Sequence, residues 1–179
     1  MQINLYSIQT DTAYNELIRN GVLRGTKDRV DEDFLGSYNW LILQMKKRLS
    51  NCHNMKYPVW AWAKRPDLRS SCLLEKGTKG VLITLSLDPN RVLFSDFMHW
   101  HHVLNNFYLP SSRKDEARFD RLLKKFNQRS NSLSEELRNE ILVSWERIFK
   151  INPKATLAQA TFKEIRITDV IKVTQFTAR

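Results

Sequence analysis

The chain has 179 residues, with 29 Lys and Arg against 19 Asp and Glu, and a formal charge of +10 at pH 7. Its 42% hydrophobic and 11% aromatic content can fill a core and excludes global disorder, and the length suits a single compact domain over residues 1–179. No run approaches the ~20 apolar residues of a membrane span, and the amino terminus lacks the basic and apolar regions of a secretion signal. Cys52 and Cys72 make neither a disulfide framework nor a paired metal site, so a reducing cytoplasm without a membrane is the expected setting. A pI near 9.8 favours an anionic partner such as nucleic acid.

In chain order, Ile3 to Ile8 reads as a strand, followed by the capping residues Thr10, Asp11 and Thr12. Ala13, Tyr14, Leu17 and Ile18 then repeat at helical spacing, and Gly21 is positioned to end that helix in the left-handed conformation. A second helix is expected from about Phe34 to Leu49, with Lys46, Lys47 and Arg48 complementing its carboxyl-terminal dipole. Val59 to Trp62 has strand composition, and Arg65 to Arg69 reads as a loop. Alternation over Val81 to Leu87 predicts a half-buried strand, and the turn residues Asp88, Pro89 and Asn90 predict that Arg91 to Ser95 returns as its hairpin partner.

A helix capped by Asp96 carries Trp100, Val103, Leu104 and Phe107. A basic amphipathic helix with Phe119, Leu122, Leu123 and Phe126 follows. The Ser132–Glu135 spacing of a capping box opens another helix, which Pro153 stops. Thr156 to Arg179 reads as two strands around a turn near Thr168 and Asp169. The order predicts an α+β fold: a mixed or antiparallel split sheet with flanking helices, carrying a basic helical insertion at about 109–151.

Candidate sites follow from residue chemistry. Lys114, Arg118, Arg121, Lys125 and Arg129 recur at three- and four-residue spacing, so they form either a solvated face or a ridge that tracks phosphates. Of His99, His101 and His102, the middle residue leaves the face shared by the other two, so no metal is expected, although His101 could act as a base. Asp96 stands at a strand-to-helix junction, where it is either a reactive carboxylate or a helix cap. Tyr38, Trp40, Tyr57, Trp60 and Trp62 offer either core packing or stacking for a nucleobase or nicotinamide. Arg69, in a loop near these aromatics, can clamp a pyrophosphate or pair with Asp67. No nucleophile elbow, Walker loop or Rossmann fingerprint is present.

An ordered set of residues runs nearly end to end: Tyr38-x-Trp40, Tyr57-Pro58-x-Trp60-x-Trp62, Pro66-Asp67-Leu68-Arg69, Ser95-Asp96-Phe97, Trp100-His101, Trp145-Glu146-x-Ile148-Phe149 and Gln159-Ala160-Thr161-Phe162. This set resembles the bacterial family catalogued as domain of unknown function 3841. More distantly, Leu5-Tyr6-Ser7-Ile8-Gln9-Thr10, a helix, and then Gly21-Val22-Leu23 is similar to the opening of ADP-ribosyltransferase folds. The late segment Gln159 to Phe162 is similar to the strand that bears the catalytic glutamate in members modifying DNA and RNA, among them toxins of toxin–antitoxin and anti-phage systems. Ser7 stands where those members carry a first-strand histidine, and the late glutamate falls on Thr161, or on Gln159 with a two-residue shift.

The second resemblance implies a cytoplasmic enzyme that takes NAD as its substrate and moves ADP-ribose to a nucleic acid, RNA above single-stranded DNA, with an antitoxin or chaperone as protein partner. It implies Gln159, Asp96 and His101 as catalytic residues, with Glu164 a further carboxylate, and Tyr6, Gln9, Thr10, Arg69 and Trp62 around the NAD. Arg118, Arg121, Lys125 and Arg129 would receive the nucleic acid. It requires the first and last strands to lie side by side, their polar ends framing a pocket. A non-catalytic nucleic-acid-binding module, or a nuclease using Asp96, His101 and Glu164, are the alternatives.

Overall fold

The structure is a computed structural model that describes residues 2–127 and 134–179. Its elements divide into two units, Met1–Phe94 with Asn152–Arg179, and Ser95–Ile151. The fold is α+β.

In the first unit, β1 (Ile3–Thr10) buries Leu5 and Ser7 on one face. The Thr10 hydroxyl accepts a hydrogen bond from the Ala13 amide at 3.2 Å, capping α1 (Asp11–Asn20). That helix ends at Gly21, whose φ of +71° lies in the left-handed region that glycine adopts without steric cost. The chain continues into β2 (Val22–Arg24), then α2 (Leu35–Arg48), β3 (Val59–Trp62) and β4 (Lys79–Leu87). β5 (Leu93–Asp96) runs into the second unit, and β6 (Ala158–Phe162), β7 (Glu164–Arg166) and β8 (Val170–Thr177) follow it.

Six strands form one sheet in the order β5-β6-β3-β1-β4-β8, while β2 and β7 pair in a separate two-stranded sheet. The β1–β3, β1–β4, β3–β6, β4–β8 and β2–β7 pairs are antiparallel. Strand alternation sorts the side chains. Leu5, Val59, Ala61, Ile83, Ala160 and Phe162 join Ala13 and Leu17 of α1 in one core, where each large aliphatic side chain buried stabilises by ~1.5–3 kcal/mol. On the opposite face, Tyr38 of α2 meets Trp60 edge-on at 6.2 Å.

In the second unit, Asp96 caps α3 (Phe97–Leu104) by accepting the His99 amide at 2.9 Å. α4 (Arg113–Asn127) and α5 (Glu135–Trp145) complete the unit's described helices. Tyr108 stacks on Phe119 at 4.0 Å, the Trp145 indole donates to the Phe107 carbonyl at 2.7 Å, and the Leu109 amide donates to the Ser144 hydroxyl at 2.9 Å.

Four expectations are corrected. β4 keeps the expected half-buried alternation from Ile83 to Leu87, but Leu82 is buried as well, so the face opposite Val81 and Ile83 is also covered there. β4 does not form a hairpin with β5: β1 and β8 occupy both its edges, and a tight turn over Pro89–Arg91, closed by Asp88, carries the chain on to pair with β6. The first strand lies beside neither late strand, since β3 separates it from β6 and β4 separates it from β8. α5 is capped by Ser134, which accepts the Leu137 amide, whereas Ser132 lies outside the described residues. Beyond these, the carboxyl-terminal stretch makes three strands rather than two, the extra one being β7 in the small sheet.

Candidate functional site

The polar end of β1 opens onto a cleft of about 180 Å³ whose walls include Gln9, Arg24, Tyr38, Tyr57 and Trp60. Gln9 donates its side-chain amide to the Ser7 hydroxyl at 2.8 Å, and Ser7 in turn donates to the Trp60 carbonyl at 2.8 Å. This relay fixes the Gln9 side chain against the neighbouring strand. Burial raises the Tyr38 phenol above its ordinary value, with the hydrogen bond to Trp60 opposing the shift, so at neutral pH it stays a neutral hydroxyl.

Gly25 closes one wall. It bridges to Tyr57, and a Cβ there would fall on the carbonyl oxygens of Pro58 and Tyr57, 2.8 Å from the latter. Only glycine allows β2 and the segment leading into β3 to approach this closely.

Behind Arg24 lies Glu164, its cross-strand partner on β7. Glu164 is 5% exposed and accepts hydrogen bonds from Arg24 Nε at 2.9 Å and Arg166 Nε at 3.0 Å. Burial pushes this carboxyl up, but the Arg166 and Arg24 bonds outweigh it, leaving the net value lowered. The group is an anion at neutral pH, committed to two guanidiniums, and a weak proton acceptor.

Within the first unit, the residues singled out from the sequence do not share one face. Tyr6, Trp62 and Gln159 stand directly opposite one another across β1, β3 and β6, forming one cross-strand row with Gln159 5% exposed. Gln9, three residues from Tyr6 on β1, belongs to the other face. Thr10 is the cap of α1. Arg69 lies on an exposed loop, where Nε and Nη2 hold the Asp67 carboxylate at 3.0 and 2.8 Å. Those bonds from Arg69 lower the Asp67 carboxyl to about 2.

Asp96 and His101 belong to the second unit, Asp96 as the cap of α3 and His101 with Nδ1 2.9 Å from the Phe97 carbonyl. Arg118 is engaged by Glu140 at 2.8 Å, by Asp115 at 3.3 Å and by the Tyr108 hydroxyl at 3.1 Å. Arg121 and Lys125 are exposed on α4, and Arg129 lies outside the described residues. Arg24 and Gly25 carry no motif of their own in the sequence. Their signal is position, since both directly follow the Gly21-x-Leu23 element that ends the opening motif.

The model of the family described as "Domain of unknown function (DUF3841)" matches residues 4–171. The chain belongs to that family. The match spans β1 through the start of β8, so both the cleft and the Tyr6–Trp62–Gln159 row are parts of the DUF3841 domain. No curated protein and no solved structure matches the chain. No helix among the described residues is long and apolar enough to cross a membrane.

Proposed function

We propose that this DUF3841 protein is an NAD-dependent transferase of the ADP-ribosyltransferase type, acting on a nucleic acid, RNA in preference to single-stranded DNA. The observation that supports the reading is the strand–helix–Gly-x-Leu opening, which leads to a cleft lined by Gln9, Arg24, Tyr38, Tyr57 and Trp60; the reading takes this cleft as the NAD site in place of a pocket between the first and last strands, which do not lie side by side. A planar nicotinamide or adenine ring gains from the Tyr57 and Trp60 walls, at roughly 1–3 kcal/mol per stacked ring. Gln9, held by Ser7, is suited to hydrogen-bonding a ribose hydroxyl.

Breaking the nicotinamide–ribose bond leaves positive charge on the sugar, so the reaction needs the sugar held in place and an acceptor whose proton can depart. The neutral amide of Gln9 serves the first need only. Gln159 lies in the row on the opposite face; in this reading it organises the sheet and touches no substrate.

Incubation of the chain with NAD labelled in its adenylate moiety, beside a panel of RNA, single-stranded DNA and protein, tests the proposal. Label should move to nucleic acid, and Gln9→Ala should lower the rate by at least roughly tenfold. A folded chain that neither transfers label nor consumes NAD would overturn it. One observation favours a second reading, a nucleic-acid-binding module without catalysis: Glu164, the carboxylate behind Arg24, is tied up in ion pairs. Salt-sensitive binding with no NAD-dependent product would favour that module, and NAD-independent cleavage of the nucleic acid would favour a nuclease.

A further inference from the structure

A second cleft adjoins the first, sharing Arg24, Gly25, Thr26 and Tyr57 with it. Its volume is about 300 Å³, and its remaining walls include Asn54, Lys56 and Lys163. Arg24, Lys56 and Lys163 bring three positive charges to this space, and among the described residues no carboxylate lines it. Arg24 is offset by its pairing with Glu164, but Lys56 and Lys163 leave the space with a positive excess that a bound anion relieves.

The local structure holds the charges where they are. Glu164 pairs with Arg24 Nη2 at 2.8 Å and with Arg166 Nε at 3.0 Å, so one carboxylate meets two guanidiniums and the cluster keeps a positive excess. Lys163 stands between two buried residues, Phe162 at 1% and Glu164 at 5% exposure, which fixes its backbone at the junction of β6 and β7. Its ammonium lies near enough to Cys52 to oppose the burial that pushes that thiol up. Thr26, Tyr57 and Asn54, residues with neutral hydrogen-bond donors, line the same walls. Tetrahedral oxyanions are bound by this mixture of point charges and short hydrogen-bond donors.

We propose that this second cleft anchors the phosphate groups of a ligand whose base or nicotinamide end occupies the Gln9 cleft. The inference rests on the transferase reading and names the phosphate end of its substrates. It also relocates the phosphate contact from Arg69, which Asp67 holds on an exposed loop. Two sources share the chemistry: the pyrophosphate of a dinucleotide and the backbone phosphate of a nucleic-acid acceptor.

Titration calorimetry of the intact chain with inorganic pyrophosphate tests the site. Pyrophosphate should bind, and the Lys56→Gln/Lys163→Gln double variant should weaken that binding by at least roughly tenfold. The matching Lys56→Arg/Lys163→Arg variant keeps the charge and should retain most of the affinity. Circular dichroism shows that each variant is folded before it is titrated. No binding by the parent chain, or equal binding by the parent and the Gln variant, would overturn the proposal.

Competition separates the sources. Displacement of pyrophosphate by ADP-ribose assigns the cleft to the dinucleotide, and displacement by a short single-stranded oligonucleotide assigns it to the acceptor. Displacement by neither would overturn the site. NAD turnover is not read here, so a chain that binds pyrophosphate yet never consumes NAD keeps this site and loses the transferase reading.

Discussion

Asp115 accepts hydrogen bonds from the Ser111 amide at 2.9 Å and the Tyr108 hydroxyl at 2.8 Å, and lies 3.3 Å from guanidinium nitrogens of both Arg118 and Arg147. The Arg147 guanidinium also sits 5.4 Å above the Tyr108 ring and donates to the Leu109 carbonyl. One carboxylate thereby ties the connector before α4 to the helices that follow. The Ser111 amide, with the Tyr108 hydroxyl, holds its carboxyl well below the usual carboxylate range. A group whose folded value is depressed contributes stability above its unfolded value and loses it as pH falls through the folded one. Asp115→Asn should therefore lower the melting temperature at neutral pH, and the gap to the parent should narrow below about pH 4. Thermal melts at several pH values check this, and a gap that stays constant with pH would count against the ionised carboxylate as the cause.

At the scale of elements, two glycines near the cleft are needed for different reasons. Gly21 has a positive φ and open space around its missing Cβ, so Gly21→Ala should cost about 1 kcal/mol of conformational strain and leave the cleft intact. Gly25 has an ordinary φ, but its missing Cβ would meet the backbone of Tyr57 and Pro58. Gly25→Ala must separate β2 from the segment before β3, opening the wall that both clefts share. Hydrogen exchange should therefore quicken at residues 22–25 and 57–60 in Gly25→Ala, and stay near the parent's rate there in Gly21→Ala. Similar exchange in the two variants would mean that the close approach of these segments does not hold the wall together.

The whole molecule carries a formal charge of +10, and α4 divides its cations between two jobs. Arg118 is bonded to Glu140, Asp115 and Tyr108 within the second unit, while Arg121 and Lys125 are exposed. If single-stranded nucleic acid binds this helix, Arg121→Gln with Lys125→Gln should reduce the slope of log K against log salt by roughly 1.4, with stability unchanged. Arg118→Gln should instead lower the melting temperature. Filter binding over a salt series, beside thermal melts, reads both outcomes, and an unaltered slope in the double variant would remove α4 from the interface.

Local chemistry accounts for what was legible beforehand. Thr10 among the three cap candidates and Gly21 as the left-handed stop of α1, Asp96 as a candidate cap of α3, and the strands around Val59 and Val81 all depend on residues within a few positions of one another. Such signals survive in a bare sequence because caps, turns and alternation act over one or two turns of chain. Pairing partners do not: the alternation that marks β4 as a strand is silent on whether β5 or β8 lies beside it, and both edges were taken by distant segments.

The candidate site divides along the same line. The amino-acid order by itself determined the excess positive charge, the α+β class and the opening that carries Gln9. Only the tertiary structure decided that Gln9 and Gln159 belong to opposite faces, and that Arg24 and Gly25 reach Tyr57 and Lys163. The physical reason is that a cleft is made by groups distant in sequence, whose convergence depends on which strand edges remain to be paired.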